Sequence, residues 1–244
     1  AHEYQSNFGY SVLMNELNAW FAQSADESAQ KCGGGIVPGV HVNDISWDTE
    51  KERTTIQTDE LDEFHKLTDG KSKGFRAPTF SLNQTSSWLI DKLEKHDYVY
   101  DSSIVPAKSD LYGIPTAQQN PYKITQNSLD KSDINGKIIE FPLATTKFFG
   151  KKIPAAGGFY LRSLPLRTIE KAIRKYEERE IPGVFYIHSW ELTPEFMPRI
   201  KMSKKDEFIT YHNLEKVYKK MERLLDNFEF TSFENFINNS KLIE

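Results

Sequence analysis

Helical periodicity and short apolar runs alternate along the second two thirds of the chain, which restricts the folds that it can adopt. Apolar residues recur at helical spacing from Leu166 to Tyr176, until Pro182 and Gly183 end the pattern. Residues 184–187 follow as a predicted buried strand. This alternation is typical of an α/β domain with a largely parallel sheet.

The same patterns place further elements along the chain. A helix capped by Ser86 or Ser87 and a helix that begins near Asn213 are predicted, and residues 228–230 read as a strand. Thr231, with Glu234 three residues later, predicts a capping box for a last short helix. In the first third, helices are predicted only over residues 11–21 and 58–67.

Composition narrows the class of protein. A chain of 244 residues can form one domain, so we predict a single domain over residues 1–244. A net charge of -4 without a basic block argues against a nucleic-acid partner. No apolar run approaches the ~20 residues that a membrane span needs. The chain as given carries no signal segment, and its place in the cytoplasm or at the cell envelope is left open.

Two short runs carry the candidate chemistry. GFRAPTFS at residues 74–81 supplies an arginine, a rigid turn and backbone donors, and YIHSWE at residues 186–191 puts a histidine after an apolar stretch. Both runs resemble motifs of the polysaccharide deacetylase (NodB-homology) family, in particular its branch associated with surface-polysaccharide gene clusters. The resemblance extends from about residue 61 to residue 230, whereas residues 1–60 are atypical. Further runs that match this branch in order are Trp88 and residues 95–103, 110–113, 140–143, 157–162 and 211–214.

The resemblance implies a deformed (β/α) barrel and a hydrolase that removes N-acetyl groups from a sugar or polysaccharide. It implies that Arg76 orients the carboxylate that acts as general base and that the Thr79 N–H binds the developing oxyanion. It also implies that His188 protonates the leaving amine. The substrate-binding residues that we predict are Pro78, Trp190, Glu191 and Arg162.

The family's metal, which we expect to be zinc, is bound by an aspartate of an Asp-Asp pair and two histidines four residues apart. Neither motif is intact in this sequence. One alignment places Asn7 and Ser11 at the ligand positions. The other alignment makes His41 a ligand, with the carboxylates of Asp44 and Asp48 nearby. We prefer it because the interval from His41 to Arg76 is close to the one usual in the family.

Several alternatives stay open at this point. The protein could be a catalytically inactive homologue that acts as a carbohydrate-binding module, or a chain whose upstream strands are missing. Without its usual partner, Arg76 would pair with Asp101 or Glu140. Glu191 would orient His188, bind a sugar hydroxyl or form an ion pair with Arg199. In the catalytic reading, the loops that carry Arg76 and His188 meet at one end of the barrel.

Overall fold

The computed structural model describes residues 70–77, 80–108 and 112–240. Residue contacts divide the chain into two compact units, and the second consists of Gly74–Arg199 with Glu207–Glu244. The elements described below belong to this second unit, except for the start of one helix that crosses its boundary. The single domain over residues 1–244 stays a prediction, and the helices predicted over residues 11–21 and 58–67 lie outside the described residues.

Four short strands form the main sheet: β1 Gly74–Phe75, β2 Tyr100–Asp101, β3 Tyr122–Ile124 and β4 Ile138–Glu140. Their order in the sheet is β1-β2-β4-β3. Three of them run parallel, with Phe75, Asp101 and Glu140 side by side in register. Parallel strands end at the same edge of a sheet, so the residues that follow them are brought together there.

A separate hairpin, β5 (Thr145–Phe148) and β6 (Lys151–Pro154), follows the main sheet. Two isolated parallel bridges join segments on either side of this hairpin to residues 184–186. They pair Leu143 with Val184 and Gly157 with Tyr186. Within residues 184–187, Val184 and Tyr186 each pair with a neighbouring segment through one bridge. The predicted strand therefore does not form as a continuous element.

Helices cover the sheets and carry much of the core. The helix predicted from Leu166 is confirmed, and it buries Ile169, Ala172 and Tyr176. The helix predicted to begin near Asn213 starts as a 3-10 turn and buries Val217 and Leu224. The bounds are α1 Trp88–Lys95, α2 Gly158–Ser163, α3 Leu166–Glu177, α4 Ser189–Leu192, α5 Lys204–Tyr211, α6 Val217–Asn227 and α7 Phe233–Asn239.

Two details of the predicted C-terminal part are wrong. Residues 228–230 form no strand, because Phe228 packs instead into the apolar cluster of α2, α3 and α6. The last helix, α7, is capped by Ser232 rather than Thr231: the Ser232 side chain accepts a hydrogen bond from the Asn235 N–H at 3.1 Å. Thr231 and Ser232 are both good cap residues, and the backbone geometry that selects one of them cannot be read from the sequence.

The described residues therefore form a mixed α/β structure with two sheets. They form no closed barrel, so the predicted barrel is not confirmed. In the same part of the chain, every helix is too short or too polar to cross a bilayer.

Candidate functional site

Arg76 follows β1 directly and is anchored at the edge where the parallel strands end. Its Nε donates to the Ser102 carbonyl at 2.8 Å, and its Nη2 donates to Ser102 Oγ at 2.8 Å. Ser102 Oγ in turn donates to the Phe141 carbonyl at 2.8 Å. No described residue accepts a hydrogen bond from Nη1 of Arg76. Ser102 thus fixes the guanidinium through two of its three nitrogens.

Two fully buried carboxyl groups, Asp101 and Glu140, lie beside this arginine. Ser103 Oγ donates to Asp101 Oδ1 at 2.6 Å, and Glu140 Oε1 accepts the Ile104 N–H at 3.0 Å. Oδ2 of Asp101 has no donor among the described residues other than the Glu140 carboxyl group that it faces. A proton held between the two carboxyl groups would supply the bond that this buried oxygen needs.

The charges of this pair follow from its burial. Burial, together with the neighbouring Asp101, raises the pKa of Glu140 well above its ordinary value. Burial also raises the pKa of Asp101. Burial lowers the pKa of Arg76, while the charges of Asp101 and Glu140 raise it, and an arginine stays protonated in this setting. The pair therefore acts on Arg76 through its charge, whereas the direct hydrogen bonds of Arg76 go to Ser102.

Replacing Glu140 with glutamine should make stability less dependent on pH. Because both folded pKa values lie above the ordinary 3.8 and 4.5, the folded protein keeps a proton that the unfolded chain releases. The free energy that this proton contributes to folding is fully present below the ordinary values of 3.8 and 4.5. It is lost as pH rises through the higher folded pKa values. In Glu140→Gln, a neutral amide replaces the protonated carboxyl group, and Asp101 can ionise beside Arg76.

In a pH series from about pH 4 to about pH 8, we expect the unfolding free energy of the wild type to fall relative to that of Glu140→Gln as pH rises above the ordinary values of 3.8 and 4.5. Urea unfolding of both proteins at several pH values measures this difference. If the unfolding free energies of the two proteins change in parallel across this pH range, the two carboxyl groups do not share a proton.

The ring of Tyr186 lies between Arg76 and His188. The Arg76 Cζ is 5.7 Å from the Tyr186 ring centroid, and the Tyr186 and His188 rings are 5.5 Å apart, edge to face. Phe80 packs against Tyr186 at 5.1 Å and against the Arg76 guanidinium at 5.7 Å. We call Arg76, Phe80, Tyr186, His188 and Trp190 the Tyr186 cluster. It brings together side chains from the two runs that the sequence singled out.

Gly157 and Gly158 allow the chain to approach Tyr186 closely. A Cβ atom on Gly157 would fall on the Tyr186 carbonyl oxygen, and Gly157 has φ of +112°, which side chains rarely tolerate. A Cβ atom on Gly158 would meet the Tyr186 hydroxyl group. These two glycines therefore make room for the backbone and ring of Tyr186.

His188 is exposed and stacks on Trp190, with ring centroids 5.3 Å apart and an angle of 14° between the rings. The Arg162 Cζ lies 5.6 Å from the Trp190 ring. Trp190 thus holds the imidazole on one side and contacts a buried cation on the other. Its position supports His188 directly, and its predicted contact with a sugar stays a prediction.

Glu191 and Arg162 form a buried ion pair behind this stack. Glu191 Oε1 lies 2.9 Å from Arg162 Nε, and the side chains are 0% and 4% exposed. Glu191 Oε2 also accepts the His188 N–H at 3.1 Å, and Arg162 Nη1 donates to the Thr210 carbonyl at 2.9 Å. Burial raises the pKa of Glu191, and the Arg162 charge lowers it. Glu191 therefore orients the backbone of His188 and pairs with Arg162 rather than with Arg199.

The remaining predicted site residues lie outside the described residues: Pro78, Thr79, His41, Asp44 and Asp48. Among the residues that the structure describes, no group of three or more His, Cys, Asp and Glu side chains is arranged to bind a metal ion. Asp101 and Glu140 are two carboxyl groups already bonded to Ser103 and Ile104, one ligand fewer than a three-ligand site needs. The described residues do not fit a metal ion by themselves.

Sequence analysis missed Tyr186 as the residue that joins the two motifs. One signal was present: Tyr186 and His188 are two positions apart in an extended run, so their side chains point to the same side. Ser102 was also missed as the direct partner of Arg76, since a serine in an irregular segment carries no distinctive pattern.

Residues 102–238, more than half of the chain, match the family described as Domain of unknown function (DUF3473). This match includes the anchor of Arg76 at Ser102, the carboxyl group of Glu140 and the whole stretch from Tyr186 to Glu191. No curated protein and no solved structure matches the chain. On the extent of the family match, the chain belongs to the family Domain of unknown function (DUF3473).

Proposed function

We propose that this protein is a carbohydrate N-deacetylase that acts on a surface or extracellular polysaccharide, or on a precursor of one, through a NodB-type deformed (β/α) barrel. The observation that supports this most directly is the Tyr186 ring, which contacts both Arg76 and His188. These two residues come from separate motifs, and the resemblance assigns both to the same reaction centre. Their meeting around one ring is what a shared site requires.

Arg76 is the fixed cation of the proposed site. Ser102 occupies its Nε and Nη2, which leaves Nη1 to orient a carboxylate of the protein or an oxygen of the substrate. A proton shared by Asp101 and Glu140 would limit the negative charge beside Arg76 to one. Arg76 therefore keeps attraction for a further anionic group instead of being saturated by two carboxylates.

His188 is the proposed proton donor to the leaving amine. Hydrolysis adds one water molecule across the amide bond and yields acetate and a free sugar amine, and the departing nitrogen needs a proton. The exposed imidazole can reach a bound saccharide, and its stacking on Trp190 limits its rotation. Trp190, Glu191 and Arg162 act as positioning residues in this proposal. The zinc ion and its ligands His41, Asp44 and Asp48 stay predictions.

The proposal is tested by acetate release from an N-acetylated chito-oligosaccharide, with added zinc and with a chelator. We expect acetate and free amine in equal amounts, and a loss of both with the chelator. Binding of the same oligosaccharide is measured in parallel by calorimetry. Saccharide binding without acetate release under any metal condition would replace the proposal with a carbohydrate-binding module that lacks activity, and absence of both would remove the carbohydrate proposal.

A further inference from the structure

The turn of the β5–β6 hairpin contains a residue that its backbone does not favour. Phe148 pairs with Lys151, so the loop has two residues, Phe149 and Gly150. Their φ angles are +45° and +78°, both positive, as in a type I′ turn. Asn-Gly and Asp-Gly suit such turns, whereas a bulky side chain is disfavoured at positive φ. Phe149 therefore strains the turn.

Nothing inside the described part of the fold compensates for this strain. The Phe149 side chain is 92% exposed, and its one ring contact is with the adjacent Phe148, at 4.6 Å between centroids. A strained and exposed aromatic residue lowers stability without adding to the core. Such conflicts between local preference and structure occur mainly at functional positions.

A cationic cleft lies directly beside this turn. It has a volume of about 450 Å³, and Phe148 and Phe149 form one wall. Lys147 from the hairpin and Arg167, Lys171 and Lys175 from α3 line it, and the three α3 residues are spaced four apart on one stripe of the helix. None of these four has a hydrogen bond or ion pair with another described residue, and no described acidic residue lines the cleft.

The charge of this surface is opposite to that of the whole chain. Four cations without anionic partners among the described residues lie together in a protein whose net charge is -4. Their mutual repulsion is relieved by an anionic partner. The exposed Phe149 ring has no hydrogen-bonding group, so its partner must offer an apolar phase next to the anionic one.

We propose that the hairpin turn and this cleft form a docking site for an anionic lipid membrane. Phe149 enters the boundary between headgroups and acyl chains, and Lys147, Arg167, Lys171 and Lys175 bind lipid phosphates. An apolar tip flanked by Lys and Arg is the combination that binds at such interfaces. An acidic polysaccharide would satisfy the cations, but its hydrated chain would bury less of the Phe149 ring than the apolar side of a bilayer does, so the lipid surface is the better match. This inference is independent of the proposed deacetylase activity.

Co-sedimentation of the 244-residue chain with vesicles tests the proposal. Vesicles of equal parts phosphatidylglycerol and phosphatidylcholine should bind it, and vesicles of phosphatidylcholine alone should bind it far less. Removing each cation as Arg167→Gln, Lys171→Gln or Lys175→Gln should weaken binding about fivefold. Phe149→Asn should weaken binding about tenfold. Because asparagine suits the turn, that variant should unfold at the same or a higher temperature than the wild type.

Two matched variants serve as controls. Ile134→Asn removes an apolar side chain that is 91% exposed in a different turn, and Lys137→Gln removes a cation that pairs with Glu94. Both should bind vesicles as the wild type does. The proposal is overturned if the protein does not bind anionic vesicles, or if Phe149→Asn and Lys171→Gln bind them as tightly as the wild type does. It is also overturned if these residues are needed for binding alginate, a soluble acidic polysaccharide, and not for binding vesicles.

Discussion

Replacing His188 with alanine should lower acetate release by about 10²–10⁴-fold, the range that a positioned proton donor contributes. The loss should fall on kcat with little change in KM, because the imidazole acts on the leaving amine rather than on substrate binding. The wild-type rate should decline on the alkaline side, where a general acid loses its proton, and His188→Ala should lack that decline. Initial rates across a pH series measure both effects.

The control for this variant is another histidine of the same unit. His96 lies at the C-terminal end of α1, outside the Tyr186 cluster, and His96→Ala should keep the wild-type rate. If His188→Ala and His96→Ala lose activity equally, or if His188→Ala keeps its alkaline decline, His188 is not the proton donor.

Replacing Glu191 with alanine should cost about 3–5 kcal/mol of stability, because it leaves the Arg162 cation buried without its counter-ion. Arg162 is 4% exposed, so water cannot replace the lost carboxylate without local opening. The same substitution removes the acceptor of the His188 N–H, so the start of α4 loses its cap as well. Chemical denaturation followed by tryptophan fluorescence measures the free energy of unfolding.

The chain offers a matched control for this ion pair. Arg223 and Glu170 are 3.2 Å apart, but Arg223 is 64% exposed, so Glu170→Ala should cost about 1 kcal/mol or less. The double variant Arg162→Met with Glu191→Leu should be more stable than Glu191→Ala, since it leaves no unpaired charge. Equal costs for Glu191→Ala and Glu170→Ala would show that burial does not set the strength of the Arg162 pair.

Elements whose signals are local could be predicted from the sequence alone. Helix α3 was predicted from apolar residues at helical spacing and from Pro182 and Gly183 beyond its end. Arg76 and His188 were identified from short motifs that are continuous in the chain. A periodic pattern or a continuous motif depends only on neighbouring residues, and such information is complete in the sequence.

How these parts meet depends on contacts between distant residues, which became visible in the folded structure. The register of β1, β2 and β4 places Phe75, Asp101 and Glu140 side by side, which puts two buried carboxyl groups next to each other beside Arg76. The close approach of Gly157 to Tyr186 fixes the ring that joins Arg76 to His188. These contacts link residues far apart in the chain, and their free energies depend on strand pairing and burial, which no local pattern encodes.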